Sequence, residues 1–459
     1  MSYRRIRNWL VHSQVAEPMI IDVNEVTLAS IRNPLLRSYA EKYVRNYEDF
    51  MQQVSDLGVE IEETDDGEQI RKRIAELGRK GATVRNDSKS IYVNRISPAC
   101  QACQTGVGSI TFTVSLKCHR NCFFCFNPNE KWYEYRCEHT CDTVAELDAL
   151  RASGKDLQHI ALTGGEPLLH KEETIRFFQS ARQDFPNAHT RLYTCGDHLE
   201  HETLRSLRGA GLNEIRISIR IEDTEKARRY TIDQIKLAQK YIPNVMVEMP
   251  VPPGALDEMK TVLTKLDRLG LFGINLLELC FPFRNAEEYR ARGYRIKARP
   301  FRVLYNYNMY PGGLPVAGSE ATCLDLIEFT LDERLRLGVH YCSVDNRHTS
   351  QVYAQNILSH RSRVLCFSNR DFFLKSAKAF GDDIAVVKHI FDRNGYDDYR
   401  FNPEYQFLEF HASKIKMLNK LDLEVGISTN ILEKQNCGIH VHELKVDVTT
   451  PKTFQLSDL

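Results

Sequence analysis

Three cysteines set the chemistry of this chain. Cys118-His119-Arg120-Asn121-Cys122-Phe123-Phe124-Cys125 places three thiols on one short loop. A loop of this spacing can fold three sulfurs around one iron–sulfur cube and leave the fourth iron without a protein ligand. An open coordination position separates a reactive metal centre from a structural one. A zinc loop or separate buried thiols are the plainer readings of the same residues. Further on, Gly164-Gly165-Glu166-Pro167 closes an apolar run. A strand that ends in two glycines lets a ligand approach the backbone closely. The Glu166 carboxylate is then expected to face the ligand and to suit an ammonium group.

These motifs need elements to hold them. Apolar runs at Ser109–Leu116, Leu157–Thr163, Thr190–Thr194, Glu214–Ile219, Asn244–Val251 and Gly273–Leu279 read as strands. Helical stretches alternate with them: Thr143–Ser153, Lys171–Asp184, His201–Gly209, Asp233–Lys240 and Leu256–Leu269. Strands alternating with helices make parallel βαβ units, hence an α/β barrel or open sheet, with chemistry at the C-terminal strand ends. The cysteine loop follows the first strand and the glycine turn ends the second. Cys195, in Tyr193-Thr194-Cys195-Gly196-Asp197, ends the third, and Cys280 ends the sixth. A thiol at either place could return a hydrogen atom to a substrate radical; a small buried filler is the plainer role.

Cys118-x3-Cys122-x2-Cys125 followed by Gly164-Gly165-Glu166-Pro167 resembles the radical S-adenosylmethionine (SAM) superfamily. The resemblance covers about residues 109–283 and implies a partial (β/α)6 barrel. It implies that Cys118, Cys122 and Cys125 hold a [4Fe-4S] cluster whose open iron takes the amine and carboxylate of SAM. Phe124 matches the aromatic residue that touches adenine. Gly164, Gly165 and Glu166 match the turn that holds the methionine end, and Ser218 and Arg220 match positions near ribose or carboxylate. Such enzymes split SAM reductively and use the 5′-deoxyadenosyl radical to take hydrogen from a C–H bond, while the protein orients the target. The expected partners are an electron donor such as flavodoxin or ferredoxin and a peptide or small-molecule substrate. Peptide or amino-acid modification is the first reading. A small metabolite such as a sugar nucleotide, or a non-catalytic metal-binding scaffold, are the alternatives.

The fold class expected is therefore α/β, with four parts. Residues 1–100 form an N-terminal helical domain, marked by a stripe from Leu36 to Leu57 and a second helix near Glu68–Leu77. Residues 101–283 form the barrel and 284–360 a barrel extension with a long loop, a strand at Phe301–Tyr307 and a helix at Ala321–Leu337. Residues 361–459 form a small α+β domain, with a helix near Arg370–Phe380 and strands at Tyr405–Phe410 and Gly438–Val446.

Other residues offer weaker signals. Cys100, Cys103, Cys137 and Cys141 could join in a second iron–sulfur or zinc site. Cys323, Cys342, Cys366 and Cys437 faintly resemble an auxiliary-cluster set. His440 and His442 share one face of a strand, a metal pair or simply an exposed face. Tyr305, Tyr307 and Tyr310 with Gly312-Gly313 suggest a loop over the site. Arg284, Arg290, Arg292, Arg295, Arg299 and Arg302 could draw an anion, or form a solvated charged surface. The balance of 61 Lys and Arg against 61 Asp and Glu opposes a nucleic-acid-coating role. No apolar run reaches the ~18 residues of a membrane span, and the start has no signal-like core. Thirteen cysteines then read as thiols or ligands in a reducing, cytoplasmic compartment.

Overall fold

The computed structural model describes residues 20–298, 313–357, 363–435 and 438–459. β1 (Thr83–Arg85) and β2 (Ser90–Val93) form a hairpin. β3 (Ser109–Thr113), β4 (His159–Thr163), β5 (His189–Thr194), β6 (Glu214–Ile217), β7 (Asn244–Val251) and β8 (Gly273–Glu278) follow. The short β9 (Cys280–Phe281) and β10 (Leu314–Pro315) pair with each other, and β11 (Gly338–Cys342) comes next. One nine-stranded sheet runs β1-β2-β11-β8-β7-β6-β5-β4-β3. β3 to β8 and β11 are parallel; the β1–β2 hairpin joins the β11 side antiparallel. β1 and β3 are the edges, so the barrel is partial. All six expected strands are present. β11 is an addition: the helix expected to reach Leu337 stops at Asp332, and Gly338–Cys342 enters the sheet. Its polar His340 and Cys342 are buried, which hid the strand from an apolar count.

The helices are α1 (Pro34–Asp56), α2 (Gly67–Lys80), α3 (Pro98–Ala102), α4 (Tyr133–Glu138), α5 (Thr143–Ala152) and α6 (Lys171–Asp184). Then come α7 (His201–Gly209), α8 (Glu225–Gln239), α9 (Leu256–Arg268), α10 (Ala286–Ala291), α11 (Ser319–Asp332), α12 (Val344–Asn356) and α13 (Asp383–Arg393). Side-chain caps start several of them: Asp142 accepts from Ala145 N–H, Thr224 from Ala227 and Ser343 from Asn346. The crossover helices press Phe177, Leu204, Ile235 and Leu263 onto Leu192, Ile215, Val247 and Ile274 of the sheet. Each such fully buried side chain contributes roughly 1.5–3 kcal/mol.

The inner face of the sheet is polar instead. Arg216 donates to Glu214 at 2.7 Å, to Glu248 at 2.5 Å and to Cys100 Sγ of α3 at 3.3 Å. Burial works to raise the Glu214 carboxyl, but Arg216 and His189 outweigh it and hold it far below the ordinary value.

The C-terminal sheet contains β12 (Cys366–Phe367), β13 (Leu374–Phe380), β14 (Tyr399–Asn402), β15 (Phe407–Phe410), β16 (Val425–Gln435) and β17 (Gly438–Thr449). Its order is β14-β15-β13-β16-β17, with β12 on β13. The helix expected near Arg370–Phe380 is therefore a strand, and the helix lies later, at α13. Lys375 and Lys378 of this strand are both buried, against Asp371 and Glu443. The first hundred residues hold β1 and β2 as well as helices. α1 packs Leu36, Tyr39 and Val44 on Phe380, Phe407 and Val446, whereas α2 places Ile70, Ile74 and Leu77 in the barrel core. The expected strand at Phe301–Tyr307 lies outside the described residues. Among those described, no helix is long and apolar enough to cross a membrane.

Candidate active site

The cysteine loop begins where β3 ends. Beyond Thr113 the chain stays extended beside the end of β4: Val114 N–H donates to Thr163 O at 3.2 Å, Gly165 N–H to Ser115 O at 2.8 Å and Glu166 N–H to Lys117 O at 2.8 Å. This contact explains the glycine pair. A Cβ on Gly164 would lie 2.1 Å from Ser115 O, and one on Gly165 would lie 2.2 Å from Lys117 O. The close approach that the glycines permit is thus to the root of the cysteine loop. On the far side of the loop, Asn127 Nδ2 donates to Gly164 O at 2.9 Å. Loop and turn form one unit.

Glu166 corrects an expectation. Its carboxylate is 1% exposed and turned inward. It accepts from Leu168 N–H at 2.9 Å, Thr194 Oγ1 at 2.7 Å and Cys195 N–H at 2.7 Å. It ties the turn to the end of β5 and does not stand out toward a ligand.

Cys118 is exposed, and Cys122 and Cys125 are half-buried. Burial pushes the Cys122 thiol up to about 11, with Cys125 and Cys118 adding to it and Arg220 opposing. Burial also raises Cys125, with Cys118 and Cys137 nearby. The three sulfurs thus share one neighbourhood. Among the described residues, the set of three ligand atoms within 4.8 Å of one another is His119, Cys195 and Asp197. A soft, all-sulfur donor set, with the Arg120 N–H donating to Cys118 Sγ at 3.4 Å, fits an iron–sulfur cube.

The aromatic anchor of the loop is Phe123. Phe123 is buried against Tyr289, Arg292 lies over its ring, and its carbonyl accepts from Asn285. Phe124 is half-buried beside it. Ser218 follows β6, its N–H donating to Thr194 O at 3.2 Å. Arg220 lies near Cys122 and pairs with Glu222 at 3.2 Å and Asp223 at 3.4 Å.

Cys195 stands at the same mouth. Its sulfur is 3.4 Å from Asp197 Oδ2 and 3.9 Å from His119 Nε2. Burial first, and then the Glu166 carboxylate, push its thiol well above the ordinary range. Burial works to raise Asp197, but hydrogen bonds from Arg120 and His119 prevail and hold it at about 2. The fold also brings Arg120, His119, Asp197 and Asn127 to the cysteine loop, contacts that the sequence did not display. Asp197 stood inside a motif already singled out, and nothing in the sequence paired it with Arg120.

Cys280 does not join this group. It is 5% exposed, its carbonyl accepts from Tyr289 OH at 2.6 Å, and its thiol is raised by burial, with Arg347 opposing. The expectation of a thiol open to the mouth is corrected there, because Cys280 lies within β9, paired with Pro315 of β10, and its thiol is buried beside Arg347. The second metal set is not assembled either. Cys100 and Cys103 look toward Arg216 inside the barrel, where α3 sits, whereas Cys137 lies near Cys125 and bonds to Tyr133. Cys323 is buried on α11 and Cys342 ends β11, while Cys366 lies in the C-terminal sheet opposite Lys375; Cys437 lies outside the described residues. His440 and His442 are exposed on β17. Arg284, Arg290, Arg292 and Arg295 each pair with a glutamate. Arg299, Arg302, Tyr305, Tyr307, Tyr310 and Gly312 lie outside the described residues.

Residues 112–266 match the family described as the radical SAM superfamily. A protein of Methanocaldococcus jannaschii, provisionally named a glycyl-radical enzyme activating enzyme, is 29% identical over 259 residues, which is 54% of this chain. The chain spans 64% of the length of that curated relative. Among solved structures, anSMEcpe with bound AdoMet and a peptide is 14% identical, covering 50% of this chain and 62% of that one, at a TM-score of 0.35. SuiB of Streptococcus suis bound to S-adenosylmethionine is 12% identical, covering 39% and 46%, at a TM-score of 0.32.

Proposed function

We propose, from the premise that residues 112–266 belong to the radical SAM superfamily, that this enzyme abstracts hydrogen from a C–H bond of an amino-acid residue within a polypeptide. Cys118, Cys122 and Cys125 would hold the [4Fe-4S] cluster. The backbone of Gly164, Gly165 and Glu166 would take the methionine end of SAM, with Phe124 toward adenine and Ser218 and Arg220 toward ribose or carboxylate. When bound, the two cofactors supply one electron to a sulfonium and thereby a 5′-deoxyadenosyl radical. The chain's own residues prepare the place. Ser115, Lys117 and Asn127 lock the loop onto the glycine turn. Glu166 fixes the turn to β5 from within. Cys195, kept protonated by burial and by Glu166, holds a hydrogen at the mouth that it could give back to a substrate radical.

The observation that carries this reading is the hydrogen-bonded union of the cysteine loop with the Gly164–Gly165 turn at adjacent strand ends. The polypeptide substrate is supported by the relative's name, which concerns activation of a partner protein. A reduced flavodoxin or ferredoxin is the proposed electron donor. The free thiols among the described residues support a reducing, cytoplasmic setting. The domain division proposed keeps residues 101–283 as the chemical unit, with β1, β2 and α2 of the first hundred residues completing its sheet and core, 284–360 as its extension, and the C-terminal sheet as a flank.

The test is anaerobic reconstitution with iron, sulfide, reductant and SAM, with candidate glycine-containing polypeptides added. Wild type should release 5′-deoxyadenosine, and Cys118→Ala, Cys122→Ala and Cys125→Ala should reduce this to background. A fully assembled cluster that cleaves no SAM under any of these conditions would leave a metal-binding scaffold. Hydrogen loss from a sugar nucleotide and from no polypeptide would move the substrate to the metabolite class.

A further inference from the structure

The cysteine loop carries its own anchor. Arg120 stands between Cys118 and Cys122, and its side chain reaches across to two other strand ends. Nε and Nη2 meet the two oxygens of Asp197 at 2.6 and 2.5 Å, and Nη1 meets Asp223 at 3.0 Å. Asp197 lies on the turn after β5 and Asp223 on the turn after β6. His119 adds a second strut, with Nε2 2.7 Å from Asp197 Oδ2. The receiving turns are fixed in their own right. Tyr230 OH donates to the Asp197 carbonyl at 3.3 Å, and Asp223 N–H donates to Arg220 O at 3.2 Å.

An exposed ion pair would contribute little, but these side chains are 16%, 20% and 15% exposed for Arg120, Asp197 and Asp223. A two-point guanidinium–carboxylate contact also fixes direction, which a lysine ammonium does not. Position in the loop matters too. Phe123 and Asn127 fasten the later part of the loop. Arg120 and His119 fasten the part between the first two sulfurs.

We infer that Arg120 is a positioning residue for the metal-binding loop. Through Asp197 and Asp223 it sets Cys118 and Cys122 in place before any metal arrives, and so governs how firmly a cluster is retained. This rests on the reading of the three cysteines as cluster ligands. The test therefore has one arm that needs no cluster.

In the metal-free full chain, amide hydrogen exchange is followed over residues 118–125 for wild type, Arg120→Gln, Arg120→Lys and Asp223→Asn. Arg120→Gln should speed exchange there about tenfold and leave β13 and β16 unchanged, with Arg120→Lys and Asp223→Asn between it and wild type. In the reconstituted chain, Arg120→Gln should lose iron to a chelator about tenfold faster than wild type, again with Arg120→Lys between. Exchange and iron loss both within about twofold of wild type would overturn the inference. Faster exchange spread equally into the C-terminal sheet would also overturn it, because it would mark a general loss of folding. A wild-type chain that binds no cluster, with the loop still loosened in Arg120→Gln, would defeat the cluster reading and leave the clamp standing.

Discussion

β5 and β8 are parallel strands of one sheet, and each leads to a cysteine, yet the two thiols live in opposite surroundings. Cys195 is followed by Gly196, whose φ of +86° turns the chain away and leaves the sulfur beside His119 and Asp197. Past Cys280 the chain stays extended. β9 pairs with β10, Tyr289 caps the Cys280 carbonyl, and the thiol is buried beside Arg347. A strand end is therefore chemical only where the next residues open it. The same division runs across the sheet. The turns after β3, β5 and β6 gather the partly exposed Arg120, Asp197 and Asp223, whereas the β8–β11 side buries Glu278, His340, Cys342 and His348.

The most damaging way to break this contrast is to push the open end apart. In Gly165→Ala the new methyl would sit 2.2 Å from Lys117 O and 2.4 Å from Leu116 O. Both are backbone atoms, and moving them releases the Gly165 and Glu166 N–H bonds to the loop root. A loss of about 3 kcal/mol or more is expected in denaturant unfolding. Iron retention should fall with it. Unaltered stability and iron content would mean that the turn and the loop are not one unit.

The closed side is probed by acid. His340 is buried with Nε2 2.8 Å from Ser90 Oγ, and burial, then Arg216 and Arg85, pull its pKa down to about 3. The unfolded chain protonates this histidine near pH 6.5, so the folded state is penalised progressively as pH falls from 6.5 toward 3 and not above that window. By pH 4 the penalty from His340 alone is about 3 kcal/mol. His348, pulled down to about 4 by burial, acts in the same direction. His340→Gln should therefore flatten the fall in unfolding free energy between pH 6.5 and 4 relative to wild type. Parallel slopes would place His340 in contact with water.

This contrast also shows what could be read in the sequence. Cys118, Cys122, Cys125 and Gly164-Gly165-Glu166 are contiguous, so spacing alone displayed them, and the six strands that carry them followed from apolar runs. The clamp from Arg120 to Asp197 and Asp223 joins residues far apart in the chain, which no local pattern can pair. Glu166 looked like a ligand group because a charged residue after a glycine turn is usually solvated. Leu168 N–H is a local donor, but the other two bonds come from Thr194 and Cys195 at the end of β5 and depend on the fold. β11 and β13 were missed for a related reason. Their buried polar residues, His340 and Lys375 among them, are paid for by partners on other strands, Ser90 of β2 and Thr429 of β16.

The finest distinction between the two thiols is one of reactivity. Cys195 is the more accessible, but burial and the adjacent Glu166 carboxylate keep it protonated, and alkylation proceeds through the thiolate. In the metal-free chain at neutral pH, peptide mapping should show Cys195 modified slowly despite its access, and Cys280 scarcely at all. Glu166→Gln removes the negative charge and should speed Cys195 about three- to tenfold. Cys280, which does not touch Glu166, should be unchanged by that substitution. If Cys195 already reacts like an ordinary free thiol in wild type, Glu166 does not hold its proton, and a hydrogen-donating role for Cys195 loses its physical basis.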